Sequence, residues 1–370
     1  MKTITARQAG ILIFFSVIAL KAIILPAVIY LYAGTSGYIT MFFAFAVDFG
    51  ILIGYLTIMQ KYPNMTFRDI MSSVFGKTIT YIVYIFLFLY YFVKTFLIIK
   101  SLYNYFNEVV FSEFNWIYYI IPFAFLLLFT IKKNWRVLGR TSEILFLFIL
   151  VSINIVLFIT SLEIDLTTLL PILPNGLIPV ANAGIRCAYA FGDYTILIFL
   201  IGNIKWDKSS KATIISFAFI AVSTILNFFI VFLCNFGYSV INQNIAIADL
   251  SLYIDLAVTV SRLEWIALFA WTITLIFQAL TYCYCCNEAL QELVPKKDRK
   301  YIPYILIALL VAMYCIRDFS VQFLVKYFLT IPFGIVAISI QVGIPILLFV
   351  AGIIQARRDK KRNVQVISQS

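Results

Sequence analysis

Seven charged residues lie inside long apolar runs of this 370-residue sequence: Lys21, Asp48, Lys94, Lys100, Glu143, Arg186 and Asp193. Where such runs cross a bilayer, a charge at the centre costs about 2.5–3.5 kcal/mol on insertion scales, so each needs a partner or a water-filled cavity. Lys21, Asp48, Lys94 and Asp193 fall near the middle of their runs, two of each sign. They either form two structural ion pairs that hold four helices together or line a polar cavity at mid-depth, fit for a small ligand or for proton coupling through Asp48 or Asp193. The other three are read from their position. Glu143 follows Thr141 and Ser142 at the start of a run, where an acid and a hydroxyl favour a helix N-terminus. Lys100 lies near the end of its run and can snorkel toward the headgroups. Arg186, near the start of its run, is either a similar anchor or part of an outer gate.

Other chemistry is thinly represented. The sequence has no histidine, which removes histidine-ligated haem and zinc and every Ser-His, Cys-His or HExxH arrangement. The six cysteines, Cys187, Cys234, Cys283, Cys285, Cys286 and Cys315, sit in or beside apolar runs and match no zinc spacing. The cluster at Cys283, Cys285 and Cys286 reads as helix packing. No metal and no cofactor is expected, and an integral membrane enzyme is the least favoured class.

The elements that position these charges follow from composition. Hydrophobic residues make up 63% of the chain and charged ones 12%, against roughly 45–50% and about 25% in soluble domains. Apolar runs long enough to span are 9–32, 38–60, 79–102, 116–131, 142–161, 181–202, 212–236, 263–286, 301–316 and 330–353. The fourth and ninth are short. The first is too long for a signal-peptide core and reads as a retained span. The expected fold is all-α and integral to the membrane, one polytopic domain over 1–370 with about ten spans.

Charge sets the orientation. With the N-terminus in the cytoplasm, 21 of the 28 Lys and Arg fall in inner segments and three, Arg262, Arg317 and Lys326, in outer ones. Both termini then face the cytoplasm. The outer loops are acidic, with Glu108, Glu113, Glu163, Asp165, Asp249, Asp255, Glu264 and Asp318. The basic tail over 355–370 meets the anionic inner leaflet, at about 1 kcal/mol per residue near the surface. The net charge of +11 is thus a record of topology and calls for no nucleic acid. Tyr62 to Lys77 and Gln291 to Lys300 read as partly structured cytoplasmic connectors, and Ile241 to Arg262 as an outer interfacial helix pair.

Two runs carry helix breakers beside a charge. The first reads Ala19-Leu20-Lys21 ahead of Pro26, and the sixth reads Phe191-Gly192-Asp193. Freed backbone groups at membrane depth are tolerated only against protein or water. The first and sixth runs open two five-helix halves, about 9–161 and 181–353, inverted with respect to each other. Interrupted helices at matching positions of inverted halves point to a midplane substrate site.

Several segments then resemble one family, the B subunit of the Ger-type endospore germinant receptors, a spore-permease branch of the amino acid–polyamine–organocation transporters. Lys61-Tyr62-Pro63-Asn64-Met65-Thr66-Phe67-Arg68-Asp69 followed by Gly76-Lys77 is similar to the connector after its second span. Trp135-Arg136-Val137-Leu138-Gly139-Arg140-Thr141-Ser142-Glu143 is similar to the segment before its fifth. The Pro-rich stretch from Leu170 to Pro179 resembles its outer loop before span six, and Arg262-Leu263-Glu264 its Arg-x-Glu opening span eight.

The resemblance implies a LeuT-like fold whose broken first and sixth helices form a pocket for a small germinant, usually an amino acid. The substrate-binding positions are then Ala19, Leu20, Lys21, Phe191, Gly192 and Asp193, with Asp48 and Lys94 as an intramembrane charge network. It also implies larger A-type and lipoprotein C-type partner subunits in the spore inner membrane. One departure stands out: Ala19-Leu20-Lys21 replaces the family's glycine-containing break. Lys21 then either supplies an internal cation paired to Asp193 or binds a ligand carboxylate itself. The other reading is an independent secondary amino acid transporter.

Overall fold

The structure, a computed structural model, describes residues 4–107, 115–162, 164–243, 245–257, 263–315 and 327–367. Of the charges read above, Glu108, Glu113, Glu163, Arg262, Arg317, Asp318 and Lys326 lie outside these residues, as does Lys2, one of the 21 inner cations. The side chains of Asp255, Glu264 and the tail from residue 359 do so as well.

Helix after helix follows the apolar runs. Strand β1 (Ile4–Thr5) leads into α1 (Ala6–Ile18), α2 (Lys21–Ala33), α3 (Gly37–Lys61), α4 (Phe67–Tyr105), α5 (Trp116–Ile131) and α6 (Trp135–Thr160). Beyond a surface stretch come α7 (Leu177–Arg186), α8 (Leu197–Leu200), strand β2 (Ile204–Lys205) and α9 (Ser210–Phe236). The chain continues through α10 (Ala246–Ala257), α11 (Leu263–Leu293), α12 (Ile302–Tyr314) and α13 (Ile331–Ile367). Seven helices among the described residues are long and apolar enough to cross a membrane, and α5 is a shorter apolar one. The protein is an all-helical, multi-pass membrane protein.

Burial sorts the helices by role. Ile11, Leu12, Ile13, Phe14 and Phe15 of α1 are all fully buried, so this helix runs through the middle of the bundle. It packs on α9, α11 and α6, while α4 packs on α11 and α13. Large apolar side chains such as Phe42, Phe86, Phe125, Ile144 and Phe158 are exposed on the outer faces, as expected where the solvent is lipid and gives no drive to bury them. The two strands pair in parallel, Ile4 with Ile204 and Thr5 with Lys205, and join the entry of α1 to the exit of the sixth run. Thr5 closes the start of α1 in a capping box with Gln8.

One local reading gains detail and two change. The connector after α3 is helical from Phe67, with Thr66 and Asp69 forming its capping box and a kink at Gly76, where φ is +82°. Glu143 caps no helix, because α6 begins eight residues earlier at Trp135. Its carboxylate instead pairs with Arg7 (3.1 Å) and accepts from Gln8 Nε2 (3.1 Å), joining α6 to α1. Among its described residues, the stretch expected as an outer helix pair holds the end of a 3₁₀ turn over Gly237–Asn242 and one helix, α10. Ile247 and Leu250 of α10 are buried, and the helix packs against α11, α2 and α6.

Candidate functional site at two helix interruptions

The sixth run is not one helix. After α7 the backbone passes through a 3₁₀ turn at Ala188–Ala190, an extended Phe191 and a left-handed Gly192 (φ +74°, ψ +25°). A second 3₁₀ turn, Asp193–Ile196, leads into α8. Glycine is required twice over at 192: the dihedrals disfavour a side chain, and a Cβ would lie 2.3 Å from Gln341 Cγ. The first run is interrupted more gently at Ala19 and Leu20, which keep right-handed dihedrals (φ −62° and −63°). No glycine is needed there. This explains in backbone terms why Ala19-Leu20-Lys21 serves where the family's pattern has a glycine.

Interruptions free backbone groups, and in a dry interior each must find a partner. Gln278 on α11 serves the first: its Oε1 accepts from Leu20 N (2.9 Å) and its Nε2 donates to Ser16 O (2.6 Å). Lys21 Nζ donates to Val17 O (3.0 Å). At the second, Phe191 O accepts from Lys94 Nζ (2.6 Å), Gln341 Nε2 (3.0 Å) and Tyr90 OH (3.1 Å). Gly192 N donates to Asp48 Oδ2 (3.0 Å), and Thr195 Oγ1 donates to Gly192 O (2.7 Å).

Asp193 joins the two interruptions. Its carboxylate forms ion pairs with Lys21 and with Lys94 (2.9 Å), and the Tyr282 hydroxyl donates to it as well. All four mid-run charges are buried: Lys21 and Asp193 are 1% exposed, Lys94 2% and Asp48 5%. The two lysines face aromatic rings, Lys21 over Phe191 (5.2 Å) and Lys94 over Tyr90 (4.9 Å), whose negative faces favour a cation. The formal charge of the group is zero.

The structure therefore brings Lys21, Lys94, Asp48 and Asp193 together, with Phe191 and Gly192 as their backbone frame and Ala19 and Leu20 beside them. It does not divide them into two ion pairs. Asp193 takes both lysines, and among the described residues Asp48 has no lysine or arginine at ion-pair distance. Arg186 stands apart. Its guanidinium donates to Asn182 Oδ1 (3.1 Å) and Leu329 O (3.2 Å) and lies 4.5 Å over the Tyr32 ring. It ties the end of α7 to α2 and to the chain entering α13. Lys100 is half-buried against Tyr103 and Tyr314, and Cys283, Cys285 and Cys286 are fully buried. The neutral partners Gln278, Gln341, Tyr90 and Tyr282 were not among the sequence candidates. Their one signal was a pair of amides, Gln278 and Gln341, deep inside apolar runs.

A cavity of about 440 Å³ adjoins this cluster between α3, α7 and α13, with Asp48, Phe191 and Gln341 in its wall. A multi-pass helical bundle with two interrupted helices meeting at buried charges is the architecture of a permease-like membrane protein. Residues 3–321 match the spore permease family, described as spore germination proteins. The chain belongs to that family. It is also 26% identical over 215 residues to spore germination protein KB of Bacillus subtilis (strain 168), an alignment that covers 56% of this chain and 56% of the relative.

Proposed function

We propose that the chain is the germinant-sensing, transporter-like B-type subunit of a spore germination receptor. It binds a small molecule, an amino acid in the first instance, where the first and sixth runs are interrupted. The observation that carries this reading is the shared carboxylate of Asp193, which holds Lys21 of one interrupted run and Lys94 of α4 at once. A ligand carboxylate that takes Lys21, or a ligand ammonium that takes Asp193, must break this contact. Because both runs are interrupted beside this contact, the broken contact is free to move the helices. A zwitterion offers both charges, a carboxylate for Lys21 and an ammonium for Asp193.

The remaining parts of the reading follow from topology and family. Two inverted halves, 9–161 and 181–353, would rock about the interruptions, with both termini in the cytoplasm. A-type and C-type partner subunits in the spore inner membrane would receive the movement. Its function is signalling, with no catalysed reaction. The test is germination of spores that carry Lys21→Ala at wild-type receptor level. Loss of the response to the cognate ligand, with other receptors intact, is expected. Normal germination with every ligand would sink a ligand-contact role for Lys21, and substrate counterflow by the chain alone in liposomes would replace the receptor reading with transport.

A further inference from the structure

Asp48 is the one mid-run charge that the lysines do not neutralise directly. Its Oδ2 accepts from Gly192 N (3.0 Å), whereas its Oδ1 accepts no hydrogen bond among the described residues. Gln341 is in the same position. Its Nε2 donates to Ala188 O (2.8 Å), Phe191 O (3.0 Å) and Tyr90 OH (3.1 Å), which fixes the amide so that Oε1 points away from these acceptors. That oxygen also accepts no hydrogen bond among the described residues. Both side chains are buried, at 5% and 4% exposure, and both line the cavity of about 440 Å³ beside the cluster.

The rest of the wall is apolar except for Thr40, and that hydroxyl is used by Val180 O (3.3 Å). Toward the outer face the cavity is bounded by Phe43, Val47 and Leu177, each more than half exposed on a surface that lipid would cover. A carboxylate oxygen and an amide oxygen that face the cavity's inner end, with no donor between them, call for a donor that carries positive charge. Apolar walls and a lateral mouth call for an apolar body.

We infer that this lateral cavity is a binding site for a small amphipathic ammonium, with the cationic head on Asp48 and Gln341 and the apolar body between α3, α7 and α13. The site is separate from the Lys21–Asp193–Lys94 contact and does not depend on the receptor reading, since occupancy is measurable without germination. A free alkyl amine and the ethanolamine headgroup of a membrane lipid share this chemistry.

The experiment uses the full purified chain in nanodiscs of phosphatidylglycerol, with n-hexylamine as probe and n-hexanol as its uncharged counterpart. Saturable hexylamine binding is expected, with hexanol weaker by about tenfold or more, the scale of a lost charge-assisted hydrogen bond. Asp48→Asn should lose about tenfold or more in hexylamine affinity. Gly184→Leu fills the cavity from α7, where a Cβ meets only Thr40 Cγ2 at 3.6 Å, and should abolish binding. It decides the matter if Asp48→Asn does not accumulate. Equal binding of amine and alcohol, or hexylamine binding unchanged by Gly184→Leu, would overturn the site. Competition by added phosphatidylethanolamine would support the site with a lipid headgroup as its occupant; hexylamine binding without such competition would support it with a free amine.

Discussion

Asp193 shared between two lysines alters what a charge swap does. For an isolated Lys21–Asp193 pair, exchanging the two residues would restore the attraction. Here the exchange places a lysine at 193 beside Lys94, whose ammonium is 2.9 Å from the native carboxylate. Removing one partner of a buried pair already costs about 3–5 kcal/mol, and facing two cations adds repulsion in a dry site. The double variant Lys21→Asp with Asp193→Lys is therefore expected to accumulate as poorly as Asp193→Lys alone. Adding Lys94→Met should recover folded protein, read as the monodisperse peak on size exclusion. Recovery by the double variant without the third change would mean that Lys94 is not a true partner. The four charges were legible in the sequence because each is expensive against an apolar background. The Lys21–Asp193 contact was legible only as one of two alternatives, and the sharing of Asp193 with Lys94 was not, since pairing between residues 172 positions apart (Lys21 and Asp193) depends on how the helices are laid side by side. Tyr90, Tyr282 and the two glutamines were hidden for the same reason: their cost appears only when their neighbours are known.

At the scale of elements, the runs and the helices correspond closely where a run is continuous. The run 116–131 is helix α5 residue for residue. The discrepancies arise where side chains outside the run decide its course, as with the helical start of α6 at Trp135, which made Glu143 an internal residue. Beyond the Lys21–Asp193 alternative, contacts between elements were not legible, and Gly334 on α13 shows why. A Cβ there would lie 1.9 Å from Ile185 O, so α13 lies directly on the carbonyl of Ile185, near the end of α7. On the same helix, Gly343 has nothing within 4 Å of its Cβ position. Gly334→Ala must move backbone and is expected to destabilise by about 1–3 kcal/mol, as overpacking does. Gly343→Ala should be neutral or stabilise by up to about 1 kcal/mol through helix propensity. Thermal unfolding in detergent compares the two; equal Tm values would show that α13 does not rest on α7.

At the scale of the whole molecule, the orientation in the membrane was read from charge alone, and one native thiol tests it without engineering the protein. Cys315 is exposed, whereas Cys187, Cys234, Cys283, Cys285 and Cys286 are buried. It caps the C-terminal end of α12, which the distribution of Lys and Arg assigns to the outer side. The opposite end of α12 carries Arg299 and Lys300 in the turn before it, where inner-leaflet charge favours cations. An impermeant maleimide added to intact cells that express the chain is expected to label it, and Cys315→Ser to remove the label. If labelling appears only after permeabilisation, the bundle is inverted. The cavity mouth at Phe43, Val47 and Leu177 would then open toward the cytoplasmic leaflet, and Arg186 would lie on the inner side, near the start of its run. The same reagent thus fixes which leaflet could supply an amphipathic amine to Asp48.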